Sequence, residues 1–463
     1  MSSYNNPLIW NPQIIQRYDM AGPRYTSYPT APQFRESFSE MALLNAISRS
    51  NKKSRPLSLY FHIPFCESLC YYCGCNKIVT PNKSRSMSYV KRVIQEVELQ
   101  AGLFDRSRSV KQLHWGGGTP TFINDDEMTL LMKATRKHFN LLDHDEGEYS
   151  IEIHPGKVSS STMTHLRKLG FNRVSMGIQD FDPQVQKAVN RFNSFEEVDE
   201  LVCSLRADQY QSISMDLIYG LPHQNAKTFE TTLNKVIALS PDRLSLFNYA
   251  HMPHLFKSQQ LIREEDLPAA EQKLALLHFA IDQLQSAGYV YIGMDHFAKP
   301  TDELVKAQQE GKMQRNFQGY STHGDCDLLA FGVSAISAID NVYVQNAKGI
   351  NEYQAKVDSG VLPYVKGFTL NAEDELRKFI INKIICHFEL NFSEVKTVFD
   401  VDVPLYFAQE LAQLQPMIED GLLSIDESGL KVHNSGRMLI RRICMVFDEY
   451  LNSPNQIRFS KII

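Results

Sequence analysis

From residue 57 to about 298 the sequence alternates short β-rich runs with longer amphipathic ones, and this alternation restricts the fold more than any other feature. The β-rich runs are LSLYFHIPF (57–65), VKQLHW (110–115), YSIEIHP (149–155), NRVSMGIQDF (172–181), SISMDLIYGLP (212–222), DRLSLFNYA (242–250) and YVYIGMDHFA (289–298). Between the first two, Val90, Val93, Ile94, Val97 and Ala101 fall at helical spacing on one face. Further helices are expected from near Asp125 and at 159–169, 195–207, 226–239 and 269–287. Six or seven βα units in order call for a parallel sheet with helical crossovers. They are too few for a closed eight-stranded barrel, so the expected fold is α/β, a partial (β/α)6-type barrel open on one side. Chemistry in such folds gathers at the C-terminal ends of the strands.

Past about residue 365 the pattern changes. Helices near 371–388, 393–399 and 404–420 precede a hairpin over 421–433, and a closing helix is expected at 435–451. That order resembles a winged helix. The expected division is an N-terminal lid or strap (1–55), a barrel (56–365) and a mainly helical C-terminal domain (366–463). Arg437, Arg441 and Arg442 form only a small basic patch, and a net charge of −5 adds no field that would draw nucleic acid or anionic lipid. Neither partner is expected. The opening MSSYNNPLIWNPQ does not read as a signal peptide, and no run approaches the ~18 apolar residues of a membrane helix. A cytoplasmic, reducing setting follows, in which clustered cysteines bind metal or catalyse rather than pair.

Four of the eight cysteines lie in YFHIPFCESLCYYCGCNKIVT (60–80), as Cys66, Cys70, Cys73 and Cys75, directly after the first strand. Cys203, Cys326, Cys386 and Cys444 are scattered and read as small buried hydrophobes. Structural zinc favours two cysteine pairs separated by a longer loop, whereas here C-x3-C-x2-C-x-C sits on one loop. Three thiolates in eight residues can instead hold three corners of an iron–sulfur cube. Spacing alone leaves both open. Elsewhere, Gly116 to Thr119 end the second strand with bare backbone that a ligand could approach, or with a tight structural turn. Glu152 is an acid inside an apolar strand and needs a partner when buried. Gln179 and Asp216 are polar residues near the ends of strands expected to be buried.

C-x3-C-x2-C placed after the first strand of a βα barrel resembles the signature of the radical S-adenosylmethionine (SAM) enzymes. GPRYTSYPTA (22–31), CGCNKIVT, HWGGGTPT (114–121), SMGIQDF (175–181), DLIYGLP (216–222), FNYAHMP (247–253) and NFQGYST (316–322) extend the likeness. In order, from about Gln13 to Phe459, they resemble the oxygen-independent coproporphyrinogen III oxidases. The resemblance implies a [4Fe–4S] cluster on Cys66, Cys70 and Cys73, with one iron left for SAM and Cys75 nearby but not a ligand. It implies two SAM molecules. Tyr60, Gly117, Glu152, Ala250 and Ile336 would serve the first; Tyr72, Gly118, Thr119, Gln179, Arg191 and Asp216 would serve the second. The implied reaction is anaerobic oxidative decarboxylation of two propionates of coproporphyrinogen III to vinyl groups, through a 5′-deoxyadenosyl radical. The implied partner is a reduced flavodoxin- or ferredoxin-type electron donor, and a monomer is expected. One departure is His154, where an Asp or Asn is expected.

Arg24 and Tyr25, with Tyr28, are candidate substrate contacts on the N-terminal segment, the alternative being a structural strap. Two rival readings have other sequence signatures. A haem chaperone of the related branch would lack GPRYTSYPT and the fourth cysteine, both present here. A zinc-stapled binding protein would leave Glu152, Gln179 and Asp216 unexplained.

Overall fold

The computed structural model describes residues 7–452 and 459–461, so the first six residues of the N-terminal segment and parts of the last eleven lie outside the described residues. The chain divides into two compact units. One comprises Phe34–Leu277 with Asp325–Thr369; the other comprises Met1–Gln33, His278–Gly324 and Leu370–Ile463.

In the first unit, β1 (Leu57–Ile63), β2 (Ser109–Gly117), β3 (Glu148–Ile153), β4 (Arg173–Gln179), β5 (Ser212–Tyr219) and β6 (Arg243–Asn248) pair in parallel in sequence order. On the other side of β1, β7 (Asp327–Phe331) is also parallel. The antiparallel strands β8 (Ile336–Ile339), β9 (Val342–Asn346) and β10 (Tyr364–Thr369) continue from it. The crossovers are α1 (Arg85–Ala101), α2 (Asp125–His138), α3 (Ser160–Leu169), a pair α4 (Pro183–Val189) and α5 (Phe195–Ala207), and α6 (Ala226–Leu239). Their starts follow from local chemistry. Asn124 with Glu127, Ser194 with Glu197 and Asn225 with Thr228 form reciprocal capping boxes, which satisfy amides the helix itself leaves open. The partial-barrel expectation agrees with this sheet.

Side chains alternate across each strand. One face carries Leu57, Leu59, Phe61, Leu113, Trp115, Ile151, Val174, Met176, Ile213, Met215, Leu244 and Leu246, each no more than 2% exposed. Burying each such side chain contributes about 1.5–3 kcal/mol. The opposite face is polar, with Tyr60 and His62 on β1, His114 on β2, Ser150 and Glu152 on β3, Ser175 on β4, Asp216 on β5 and Ser245 on β6. Parallel strands covered on both sides are normally apolar on both. The polar face therefore marks the inside of the open barrel as a site rather than a core.

Three expected elements differ. The run 289–298 is not one strand: it folds as Val290–Gly293 antiparallel to His296–Ala298, the chain turning at Met294 with φ +50°. The expected closing helix 435–451 is broken into 3-10 turns at Arg437–Leu439 and Glu449–Asn452 around a short helix, Ile440–Met445. The expected helix 404–420 is three short ones, Val403–Tyr406, Ala408–Gln413 and Gln415–Glu419, with Pro416 near the start of the last. In the same unit, Leu423–Ile425 and Gly429–Val432 form the expected hairpin, and Glu389–Asn391 joins its edge. Arg437 and Arg441 are buried, 5% and 4% exposed, so they do not make a surface patch.

A buried carboxylate ties β7 to α1. Glu96, fully buried, accepts from Tyr353 Oη (2.6 Å), Asn346 Nδ2 (2.7 Å), Gly332 N (2.8 Å) and Gln100 Nε2 (3.0 Å). Burial pushes its pKa up to about 7. Two turns earlier on α1, Tyr89 donates to the carbonyl of His62 (2.7 Å) and accepts from Val333 N (3.0 Å), which pins the end of β1. Since all four neighbours of Glu96 donate, an amide there faces donors with a donor. Glu96→Gln is expected to lower the unfolding free energy by about 2 kcal/mol, read from chemical denaturation at neutral pH.

Candidate active site

The C-terminal ends of β1 to β6 open onto a cavity of about 300 Å³. The cysteine loop closes one wall, so Cys66, Cys70, Cys73 and Cys75 all line it. The loop is anchored from both sides. Asn190 Nδ2 donates to Leu69 O (2.8 Å) and Tyr71 N to Val189 O (3.0 Å). Gln259 Nε2 donates to Tyr72 O (3.0 Å) and Ser258 Oγ to Cys73 O (3.1 Å). Thr119 Oγ1 donates to Cys66 Sγ (3.6 Å) and Arg191 Nη1 to Cys70 Sγ (3.8 Å). Burial pushes the Cys66 thiol up to about 11, whereas a hydrogen bond with Cys75, followed by the charge of Lys77, brings Cys73 down to about 6.

The glycines at the end of β2 are demanded by space. Gly117 has φ +116°, and a Cβ there would stand 2.8 Å from the His62 ring. A Cβ on Gly118 would stand 2.6 Å from the Pro64 carbonyl oxygen, which as backbone cannot swing aside. The amide of Gly118 donates to Ile63 O and that of Thr119 to Phe65 O, both at 2.8 Å, which seats the turn on the β1 end. The structural-turn reading of this segment therefore applies.

Glu152 has 45% of its side-chain surface open to the cavity yet is enclosed by protein. Burial alone would raise its pKa, but His114 at 3.2 Å, the amide of Gly117 at 3.1 Å and the nearby His62 outweigh it. It is held below its ordinary range and stays ionised. Asp216 goes the other way: burial, with Glu152 adding to it, outweighs hydrogen bonds from Ser245 and Ser175 and pushes it up to about 6. Arg191, 9% exposed, donates to Gly177 O at 2.5 Å and remains cationic, the field of Tyr72 and Cys70 outweighing burial. His154 also lines the cavity, and burial with Arg191 and Lys157 nearby brings it down to about 3, so it is neutral. Gln179 follows a bulge between β4 and β5 and takes φ +68°, a strain of about 1–3 kcal/mol in a non-glycine residue. Its Oε1 is buried without a partner.

Of the expected site residues, the cavity brings together the three cluster cysteines, Gly117 and Glu152. It also brings together Tyr72, Gly118, Thr119, Gln179, Arg191 and Asp216. Tyr60 stands just behind, its ring stacked on His114 at 5.8 Å. Ala250 follows β6 and Ile336 opens β8; both are half-buried and neither lines this cavity. Arg24 and Tyr25 belong to the other unit, where Arg24 pairs with Asp295 at 2.7 Å and buried Tyr25 donates to Asp448 at 3.0 Å. Sequence reading gave no role to His114, Ser175 or Lys157. His114 and Ser175 carry a signal that was available: each is a polar residue on the same alternating face as Glu152 or Asp216.

Residues 60–236 match the model of the radical SAM superfamily, and residues 370–439 match that of the HemN C-terminal domain. The chain is 51% identical over 454 residues to the oxygen-independent coproporphyrinogen III oxidase of Pseudomonas aeruginosa, covering 98% of this chain and 99% of that protein. It is 47% identical to the Escherichia coli protein of the same name, covering 98% of each. The chain belongs to the oxygen-independent coproporphyrinogen III oxidases, within the radical SAM superfamily. The solved structure of coproporphyrinogen III oxidase (HemN) from Escherichia coli, described as a radical SAM enzyme, superposes with a TM-score of 0.92 at 46% identity, covering 96% of this chain and 100% of that one.

Enzymes of this family use a [4Fe–4S] cluster and SAM. The residues present fit both. Among the described residues no three His, Cys, Asp or Glu side chains converge as a single-ion site. Cys66, Cys70, Cys73 and Cys75 nonetheless line one cavity, and a four-iron cube spreads its ligands further apart than one ion does. Hydrogen bonds to two of the sulfurs, from Thr119 and Arg191, are the outer support such thiolates require.

Asp216 offers a pH test. The native state holds its proton up to about pH 6 while the unfolded chain releases it near the ordinary 3.8, so this group lowers stability progressively as pH rises between those values. Asp216→Asn removes that contribution. The variant's melting temperature relative to the parent protein is expected to rise between pH 4.5 and pH 7, by calorimetry; a constant difference would contradict the assignment.

Proposed function

We propose that this chain converts two propionate side chains of coproporphyrinogen III to vinyl groups, giving protoporphyrinogen IX, without molecular oxygen. The observation that carries the reading is one cavity lined by Cys66, Cys70, Cys73, Glu152 and Asp216, in a chain that matches coproporphyrinogen III oxidases from end to end. Cys66, Cys70 and Cys73 would hold the cluster. When bound, the cluster and SAM supply one-electron, hydrogen-abstracting chemistry. Each propionate then loses one β-hydrogen atom, CO2 and one electron, the electron passing to a one-electron acceptor.

The chain's own residues do the holding and the shielding. Ionised Glu152, held by the amide of Gly117, suits the ammonium of an amino acid, and we assign both with Tyr60, Ala250 and Ile336 to a first SAM. Asp216, Gln179 and Arg191, with Tyr72, Gly118 and Thr119, are assigned to a second. Gln179 supports this assignment, since it lines the cavity and its buried carbonyl has no hydrogen-bond partner among the described residues. We further propose a flavodoxin- or ferredoxin-type reductant, a monomeric state and a cytoplasmic setting; among the described residues no helix is long and apolar enough to cross a membrane.

The test is anaerobic turnover. Reconstituted protein receives SAM, a reductant and coproporphyrinogen III, with 5′-deoxyadenosine, CO2 and protoporphyrinogen IX followed together beside Cys70→Ala. Parallel formation of all three products, and a fall of at least about a hundredfold in the variant, is expected. SAM cleavage without vinyl product, or tight haem binding without turnover, would overturn the reading.

A further inference from the structure

We propose that His114 is a positioning residue that locks Glu152 and Tyr60 into one wall of the SAM cavity, with Ser150 setting its ring. The proposal rests on the reading above that Glu152 and Tyr60 serve SAM. Its basis is the register of three strands. Tyr60 on β1 is opposite His114 on β2, and His114 is opposite Ser150 on β3. Ser150 and Glu152 are two apart on β3 and face the same way. One imidazole therefore spans both: Nδ1 lies 2.5 Å from Ser150 Oγ and Nε2 lies 3.2 Å from Glu152 Oε1.

These two contacts settle the direction of the hydrogen bonds. An ionised carboxylate only accepts, so Nε2 carries the proton and donates. In the neutral ring Nδ1 then accepts from the Ser150 hydroxyl. Oε1 is engaged by His114 and Oε2 by the amide of Gly117 at 3.1 Å, so the carboxylate cannot rotate without losing one of them. Its remaining lone pairs face the cavity. The ring also stacks on Tyr60 with centroids 5.8 Å apart and planes 12° from parallel. Tyr60 is clamped from its other end, its hydroxyl 3.1 Å from His62 Nδ1, while His62 Nε2 lies 2.9 Å from the carbonyl of Asn76 on the cysteine loop. The wall thus runs unbroken from Ser150 to the cysteine loop, with His114 joining its two halves. Without His114 the carboxylate keeps, among the described residues, the Gly117 amide as its one donor, and ordering it on binding costs side-chain entropy that the intact wall has already removed.

A double-mutant cycle tests this. SAM binding to cluster-loaded protein is measured by calorimetry without reductant, so no turnover is involved, for His114→Ala, Glu152→Gln, the double variant and His114→Gln. His114→Ala is expected to weaken SAM about tenfold, the scale of one hydrogen bond to a charged group. In the Glu152→Gln background the same change is expected to cost less than about twofold, since the group it acts through is already altered. His114→Gln, which keeps one N–H for Glu152, is expected to recover most of the affinity, and Ser150→Ala to give a smaller loss than His114→Ala. Additive losses in the cycle, or a glutamine no better than alanine, would overturn the positioning role. A different pattern marks failure of the underlying reading: parent protein that does not bind SAM, or a Glu152→Gln variant of unchanged affinity, removes Glu152 from the SAM site and the inference with it.

Discussion

A carboxylate enclosed by protein takes up a proton unless donors surround it, and the way the strand ends meet that demand organises the rest of this site. Glu152 has donors on both oxygens, from an imidazole and a backbone amide, and stays ionised. Asp216, two strands away, has hydroxyl donors from Ser245 and Ser175, and burial with the repulsion of Glu152 outweighs them and the Arg191 charge and pushes it up to about 6. Two acids in one cavity are thereby driven apart in charge, with cationic Arg191 on the same cavity wall. Groups with different charge preferences suit the two SAM molecules proposed above. A uniform ring of carboxylates would repel itself, and a uniform ring of hydroxyls would hold no sulfonium or ammonium.

The same strand ends collect the backbone strain. Gly117 takes a conformation open to glycine, and Gln179 takes a left-handed one that costs a glutamine energy. Neither is needed to close the sheet, since the apolar outer face, with Trp115 and Phe61 wholly buried, supplies the stabilisation. Strain of a few kcal/mol is tolerable only where such a core over-determines the backbone. The rigid face and the strained edge are two ends of the same strands: the nine residues of β2, Ser109–Gly117, pass from buried Val110 and Leu113 through Trp115 to Gly117.

Much of this was legible in the sequence, because periodicity and cysteine spacing are local signals. The six βα units, the cysteine loop, the Gly116–Thr119 edge and Glu152 all followed from short stretches. What escaped needed long-range information. β7 to β10 are short strands, of which β8 to β10 run antiparallel and break the βα alternation, and the pairing with β1 shows where β7 belongs. The run 289–298 reads as one strand until Met294 turns it. Arg441 looked like part of a surface patch, yet its guanidinium donates to the carbonyls of Pro23 and Gly22, more than four hundred residues away in sequence. His114 was passed over for a different reason: it lies in a quoted motif, but its value depends on register, since only the pairing of β1, β2 and β3 places it between Tyr60 and Glu152.

Register also explains why the cysteine loop can be short and still accurately placed. All four of its cysteines come from ten residues, too few to fold by themselves around anything. The loop is set instead by neighbours far along the chain: Val189 and Asn190 beyond β4 on one side, Ser258 and Gln259 beyond β6 on the other. Phe256 packs against Gly74, where a Cβ would stand 3.0 Å from its ring. The distance between the thiols and the acids is therefore a property of the sheet, because the same parallel strands that carry Glu152 and Asp216 deliver the segments that grip the loop. A change in one of those gripping segments would move the thiols relative to Glu152 without altering any residue in the cavity.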